Sequence, residues 1–278
     1  GSSISINRGG PSVIGAFGAA SAPNPVFNSS VLGPVFYLSS ATTPTQVSSW
    51  VIQDISIDGG NLNNSSAFAG GGSFSNVLIN RVYMTRVGYG LLLSGSTLAA
   101  LNTAVPFTHA MWDQVYMVDS TIYDLYTSAS GPNSIFANAS RISFLGNNID
   151  NNGHGEHGIR MQLTDRGVFS NNTIQGIAPG KVNLTIRGGG FEGGNTIAPG
   201  RYSEKIVMSD NKLIGGASIG MVGIGPQNGW NDERGRDMIF ERNLLLASAS
   251  VQNLMLVSQP DITIRNNLIN IPATNNGG

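Results

Sequence analysis

Short alternations of apolar and polar residues, broken by Asn, Asp and Gly, recur from one end of this chain to the other. No stretch carries the three-to-four-residue period of an amphipathic helix. Ser3-Ile4-Ser5-Ile6 already alternates like a strand. A fuller pattern follows it: a few β-type residues, then Asn or Asp, then one residue, then an aliphatic. Val77-Leu78-Ile79-Asn80-Arg81-Val82 is one copy, and Ile142-Ser143-Phe144-Leu145-Gly146-Asn147-Asn148-Ile149 is another. Further along come Ile206-Val207-Met208-Ser209-Asp210-Asn211-Lys212-Leu213 and Ile262-Thr263-Ile264-Arg265-Asn266-Asn267-Leu268-Ile269.

Taking one anchor from each copy gives Asp54, Asn80, Asp113, Asn147, Asn172, Asn211, Asn243 and Asn267, at intervals of 26, 33, 34, 25, 39, 32 and 24 residues. Intervals of this size are the length scale of one solenoid coil with its excess looped out, and a second strand-like segment follows several anchors by about a dozen residues. Asn tolerates the left-handed backbone of a sharp corner, and stacked Asn side chains hydrogen-bond along an axis. The pattern predicts an all-β, right-handed parallel β-helix of about eight coils, residues 1–278 forming a single domain. The strand-like start and the Asn275-Asn276-Gly277-Gly278 end suggest a segment of a longer chain.

Composition narrows the chemistry. Charged residues make up only 11% of 278 residues, net charge is -1, and there are 37 Gly and no Cys. Disulfides and thiol catalysis are excluded. No global field draws the chain to nucleic acid or an anionic membrane, and no apolar run is long enough to span a bilayer. No cofactor is implied, and oligomeric state is not readable. The Asn-x-Ser/Thr triplets match what chance supplies in so Asn-rich a chain.

Against that sparse background one segment stands out. With each anchor as zero, Ile159 and Met161 of one coil match Leu184 and Ile186 of the next, so these aliphatics face the core and their neighbours face out. Glu156 then stacks on Lys181, and Gln162 on Arg187. One outer face gathers His154, Glu156, His157, Arg160, Lys181 and Arg187, with Asn183 beside them. Gly223 and Gly225 would form a shallow floor next to Thr185 and Arg187. A long insertion after Ile224, carrying Asn228 and Trp230, is placed to wall the groove, where an indole stacks on sugar rings. The His154-Gly155-Glu156-His157 segment lies in a turn, not on a helix, so a metal site is not expected there.

Repeat and patch together resemble the pectate-lyase-like superfamily of parallel β-helices, which holds polysaccharide lyases, glycoside hydrolases, uronan epimerases and phage tailspikes. The segment Leu184-Thr185-Ile186-Arg187-Gly188-Gly189, with Lys181 before it, is similar to the Lys/Arg pair of alginate- and chondroitin-type lyases. Those enzymes show Arg-His-Gly where this chain has Arg187-Gly188-Gly189, and the Asp-Pro-His motif of uronan epimerases is absent. The resemblance implies a secreted or cell-surface protein whose partner is a polysaccharide. It further implies β-elimination on a uronate, with Arg160 and Arg187 meeting the carboxylate, Lys181 or His157 as base, and the other of that pair or His154 as acid. A glycoside hydrolase using Glu156 with Asp150, Asp165 or Asp232, or a non-catalytic sugar-binding module, are the alternatives.

Overall fold

The computed structural model describes residues 3–7, 9–16, 22–29, 32–39, 47–62, 65–71, 74–93, 112–126, 131–188, 190–192, 195–197, 201–215, 221–224, 234–247, 255–257 and 260–271. These residues hold strands and no helix, and nearly every pairing is parallel. The chain winds as a right-handed parallel β-helix with three faces, the hand that parallel crossovers favour. Face one holds the strands before the Asn corner, such as Trp112–Val118 and Tyr202–Ser209. Face two holds the short strands just after it, such as Asn148–Asp150 and Thr173–Gln175. Face three holds the strands that close each coil, such as Tyr89–Leu93 and Leu184–Ile186. Eight coils among the described residues have all three strands, and the pair Ile262–Arg265 and Leu268–Asn270 begins a ninth. The long strands Ile135–Leu145 and Ile159–Ser170 run through the corner from face three into face one, and so join the two faces in one sheet.

The core is built from vertical columns, because in-register parallel strands stack like on like. On face one Ile52, Ile79, Met117, Phe144, Phe169, Met208 and Phe240 succeed one another. All are essentially fully buried, and the Phe144 and Phe169 rings stack at 5.2 Å. The expected match of Ile159 with Leu184 and Met161 with Ile186 holds.

Five of the eight expected anchors form one hydrogen-bonded ladder. The side-chain amide of Asn147 donates to the Oδ1 of Asn172, Asn172 to Asn211, Asn211 to Asn243, and Asn243 to Asn267, at 2.9–3.0 Å. The other three anchors are misplaced. Continuing the column upward leads to Ser120, whose N–H donates to the Oδ1 of Asn147, and then to Val82. Face-two register places Ile55 next. Asp54, Asn80 and Asp113 therefore lie one, two and seven residues before the corner positions of their coils. Here the corner is filled by apolar or hydroxyl side chains, so the Asn signal is missing.

The ladder Asn does not itself take the left-handed conformation. That falls to the residue before it: Asp54, Arg81, Asp119, Gly146, Asn171, Asp210, Arg242 and Asn266 all have φ between 46° and 69°. A second left-handed column marks the corner from face three into face one, at Ser49, Asn76, Gln114, Arg141, Arg166, Lys205, Asp237 and Asp261. None of these is β-branched, as a positive φ requires.

Candidate functional site

The turn Asn151–Gly158 brings Glu156 to the outer edge of face three. Gly155 is required there: its φ is +69°, and a Cβ would fall 2.9 Å from the carbonyl oxygen of Pro132. One coil on, the turn ending at Lys181 is closed by its N–H on the Ala178 carbonyl at 3.2 Å. The pairing of Ile159 with Leu184 then sets Glu156 beside Lys181. The Lys181 Nζ donates to Glu156 Oε1 at 3.0 Å, and Arg160 Nη1 lies 3.6 Å from Oε2. The guanidinium of Arg160 also covers the ring of its cross-strand neighbour Phe136, 5.2 Å from the centroid. Glu156, Arg160 and Lys181 are 19%, 13% and 29% exposed, so the cluster is partly dried yet reachable. Burial works to raise the Glu156 carboxyl, but the hydrogen bond and charge of Lys181, with Arg160 beside it, outweigh burial and hold it below its usual range. The acid is ionised at neutral pH.

His157 is 5% exposed, and its Nδ1 accepts the Val182 N–H at 3.1 Å. Burial first, then the Arg160 charge, drive its pKa down to about 3. It is a neutral ring inside the wall, and it ties down the segment that leads from Lys181 into the strand Leu184–Ile186. His154 faces another way, its Nδ1 3.3 Å from Asp124.

Several residues expected along an open groove are enclosed instead. Gln162 is 2% exposed, Asn183 0%, Thr185 0% and Arg187 4%. The Asn183 amide is spent on the backbone carbonyls of Ile174 and Ile214, at 2.9 and 3.1 Å, which removes it from substrate binding. Gln162 is the extra residue of a β-bulge, since Ala137 faces Met161 and Asn138 faces Leu163. Bulges re-aim side chains, and this one leaves the Gln162 Oε1 buried without a hydrogen-bond partner. Gln162 and Arg187 do lie at neighbouring positions of adjacent coils, as the register demands. Thr185 faces Gly223 as expected. Gly225, Asn228, Trp230 and Asp232 lie outside the described residues.

Sequence reasoning passed over Tyr89 and Phe136. The Tyr89 hydroxyl donates to the Gly131 carbonyl at 3.0 Å. Burial raises its pKa and the Glu156 charge raises it further. It adds a protonated phenol to the same neighbourhood. In the observed register Tyr89 sits two positions before Leu91, the partner of Ile135.

No protein-family model matches the sequence. No curated protein matches it either. Solved structures similar to the chain include the A-module of the mannuronan C-5 epimerase AlgE6 of Azotobacter vinelandii, at 12% identity and TM-score 0.37, covering 91% of this chain and 80% of that one. ORF18 of Geobacillus virus E2 aligns at 13% identity and TM-score 0.41, over 96% of this chain and 50% of that one. A GH136 lacto-N-biosidase from Eubacterium ramulus aligns at 12% identity and TM-score 0.35, over 96% and 56%. The chemistry rests on this chain's own residues. By its strand pairing and its Asn ladder, the chain is a right-handed parallel β-helix, the coil architecture that the recurring Asn anchors predict.

Proposed function

We propose that the chain acts on a uronate-containing polysaccharide and cleaves it by β-elimination at the Glu156–Lys181 pair. The observation that carries this reading is a single acid held between a lysine at 3.0 Å and an arginine at 3.6 Å on one outer face. Arg160 supplies the charge that neutralises the substrate carboxylate and so acidifies the neighbouring C5 proton. A charge-paired ammonium has no lone pair with which to take that proton. A polymer lying over the pair removes its remaining water, and a drier setting favours the neutral partners over the ions. The proton then passes from Lys181 to Glu156. The free amine takes the C5 proton, the C4–C5 double bond forms as the bond from C4 to the bridging oxygen breaks, and the Glu156 acid protonates the leaving oxygen. Lysine ends protonated and glutamate ionised, so the site is restored without a further reactant. His157 and Gln162 serve as supports in this scheme, and Arg187 braces the coil from within.

The test is turnover on a panel of polyuronates, following both ultraviolet absorbance of an unsaturated product and new reducing ends. Elimination gives both signals. Reducing ends without absorbance would move the site to hydrolysis with Glu156 as one of two carboxylates. Binding with neither would leave a sugar-binding module.

A further inference from the structure

A second charged feature lies outside the acid–cation cluster, where face three turns into face one. In three consecutive coils the left-handed column there holds Arg141, Arg166 and Lys205, with φ of 52°, 64° and 58°. The register sets them one above another, because Ser140, Asp165 and Glu204, the residues just before them, are successive cross-strand partners. Their side chains are 44%, 55% and 54% exposed. The carboxylates that balance them lie deeper: Asp165 is 6% exposed, Glu204 13% and Asp113 27%. Arg141 pairs with Asp113. Arg166 lies 2.7 Å from Asp165, and Lys205 lies 2.7 Å from Glu204 and 3.7 Å from Asp165. The charge is thus layered, with acids against the coil wall and cationic ends outermost.

Beside the column runs a shallow open groove, lined by Arg141, Arg166 and Lys205 on one edge and by Tyr116, Val168 and Val207 along the floor. Val168 is 40% exposed, an apolar side chain left uncovered between its column neighbours Ser143 and Val207. Coils repeat every ~4.8 Å, close to the length of one sugar residue in an extended pyranose polymer. An acidic chain lying along the helix axis would place its rings on the apolar floor and a negative group opposite a cation in each coil.

We infer that face one carries a second, non-catalytic site for an acidic polysaccharide. The cations form one row, and the floor offers one aromatic ring instead of the series of stacking rings that single-stranded nucleic acid uses. The site does not depend on elimination at Glu156 and Lys181. It would hold a long polymer against the protein while another stretch of it meets face three.

Affinity electrophoresis through gels containing polygalacturonate tests this, with methyl-esterified pectin as the uncharged counterpart. Asn keeps a left-handed backbone and removes the charge, so the variants are Lys205→Asn and the double Arg166→Asn/Lys205→Asn. Lys205→Asn leaves Asp165 to Arg166 and Glu204 to Arg236, which lies 2.5 Å away, and so preserves the fold. The wild type is expected to be retarded by polygalacturonate and not by its ester. The apparent Kd should weaken about fivefold in Lys205→Asn and about tenfold or more in the double variant. Arg166→Lys, which keeps the charge, should keep wild-type retardation. Retardation lost in Lys181→Ala and kept in the double variant would confine binding to face three and overturn the inference. So would absent retardation of the wild type, or tighter binding of a single-stranded DNA oligomer that shows the same dependence on Arg166 and Lys205.

Discussion

Asn147 and Asn172, in adjacent coils, share one oxygen: the Asn172 Oδ1 accepts both the backbone N–H and the side-chain amide of Asn147, each at 3.0 Å. The Asn172 amide in turn donates to the Phe144 carbonyl at 2.8 Å and to Asn211 at 2.9 Å. Removing that side chain orphans groups in two neighbouring coils, all buried. Asn172→Ala is expected to cost about 3 kcal/mol or more. Asn171→Ala, at the exposed left-handed position beside it, should cost about 1 kcal/mol. Urea unfolding of the two variants checks this, and equal losses would mean that the ladder is not what holds the corner.

Lys181→Ala and Glu156→Gln should each lower elimination by about a hundredfold or more, since each removes one half of the proton exchange. Far-ultraviolet circular dichroism should stay unchanged, because both side chains sit at the outer edge of face three. Initial rates of absorbance on a polyuronate provide the measure. Full activity in Glu156→Gln would leave Lys181 without its proton acceptor and end the scheme.

Arg187 behaves differently from a groove residue. It is 4% exposed, and its carbonyl takes the hydroxyl of the fully buried Ser203. The register alone pictured it as an outward side chain beside glycines. The structure reverses that expectation: Arg187→Ala should destabilise the fold by about 3 kcal/mol, as cavity-forming losses of buried charged residues do. A denaturation midpoint equal to that of the wild type would return Arg187 to the open surface.

His157 sets a pH dependence whose sign can be worked out. Unfolded, its ring takes a proton near 6.5; folded, it refuses one until about 3. Above 6.5 both states are neutral and its contribution is fully present. As pH falls from 6.5 toward 3, the unfolded state gains protons that the folded state cannot, so stability is lost. Thermal unfolding between pH 8 and 4 should show this loss, and His157→Gln should flatten it. A native His157 ring that titrates near 6.5 by NMR would contradict the assignment.

The fold was legible because a parallel solenoid repeats its side chains at fixed positions, and Asn147 through Asn267 wrote that repeat in one letter. It was less legible where the same corner is filled by Ile55, Val82 and Ser120, which share a place and no chemistry. Tyr89 lay on those misregistered coils and was passed over for that reason. Of the site, the Glu156–Lys181 contact followed from register alone. The burial of Asn183, Thr185 and Arg187 did not, because alternation tells which way a side chain leaves its strand and not what lies over it. The bulge at Gln162 was invisible for a similar reason: one added residue changes no composition and no motif.

The Asn ladder spans sequence separations of 25, 39, 32 and 24 residues with the same bond length throughout. The longer spacing of the longest coil therefore leaves the contact along the axis unchanged. Loops on this scaffold are interchangeable parts: a segment of a dozen residues more or less alters what the surface meets without re-indexing a single column of the core.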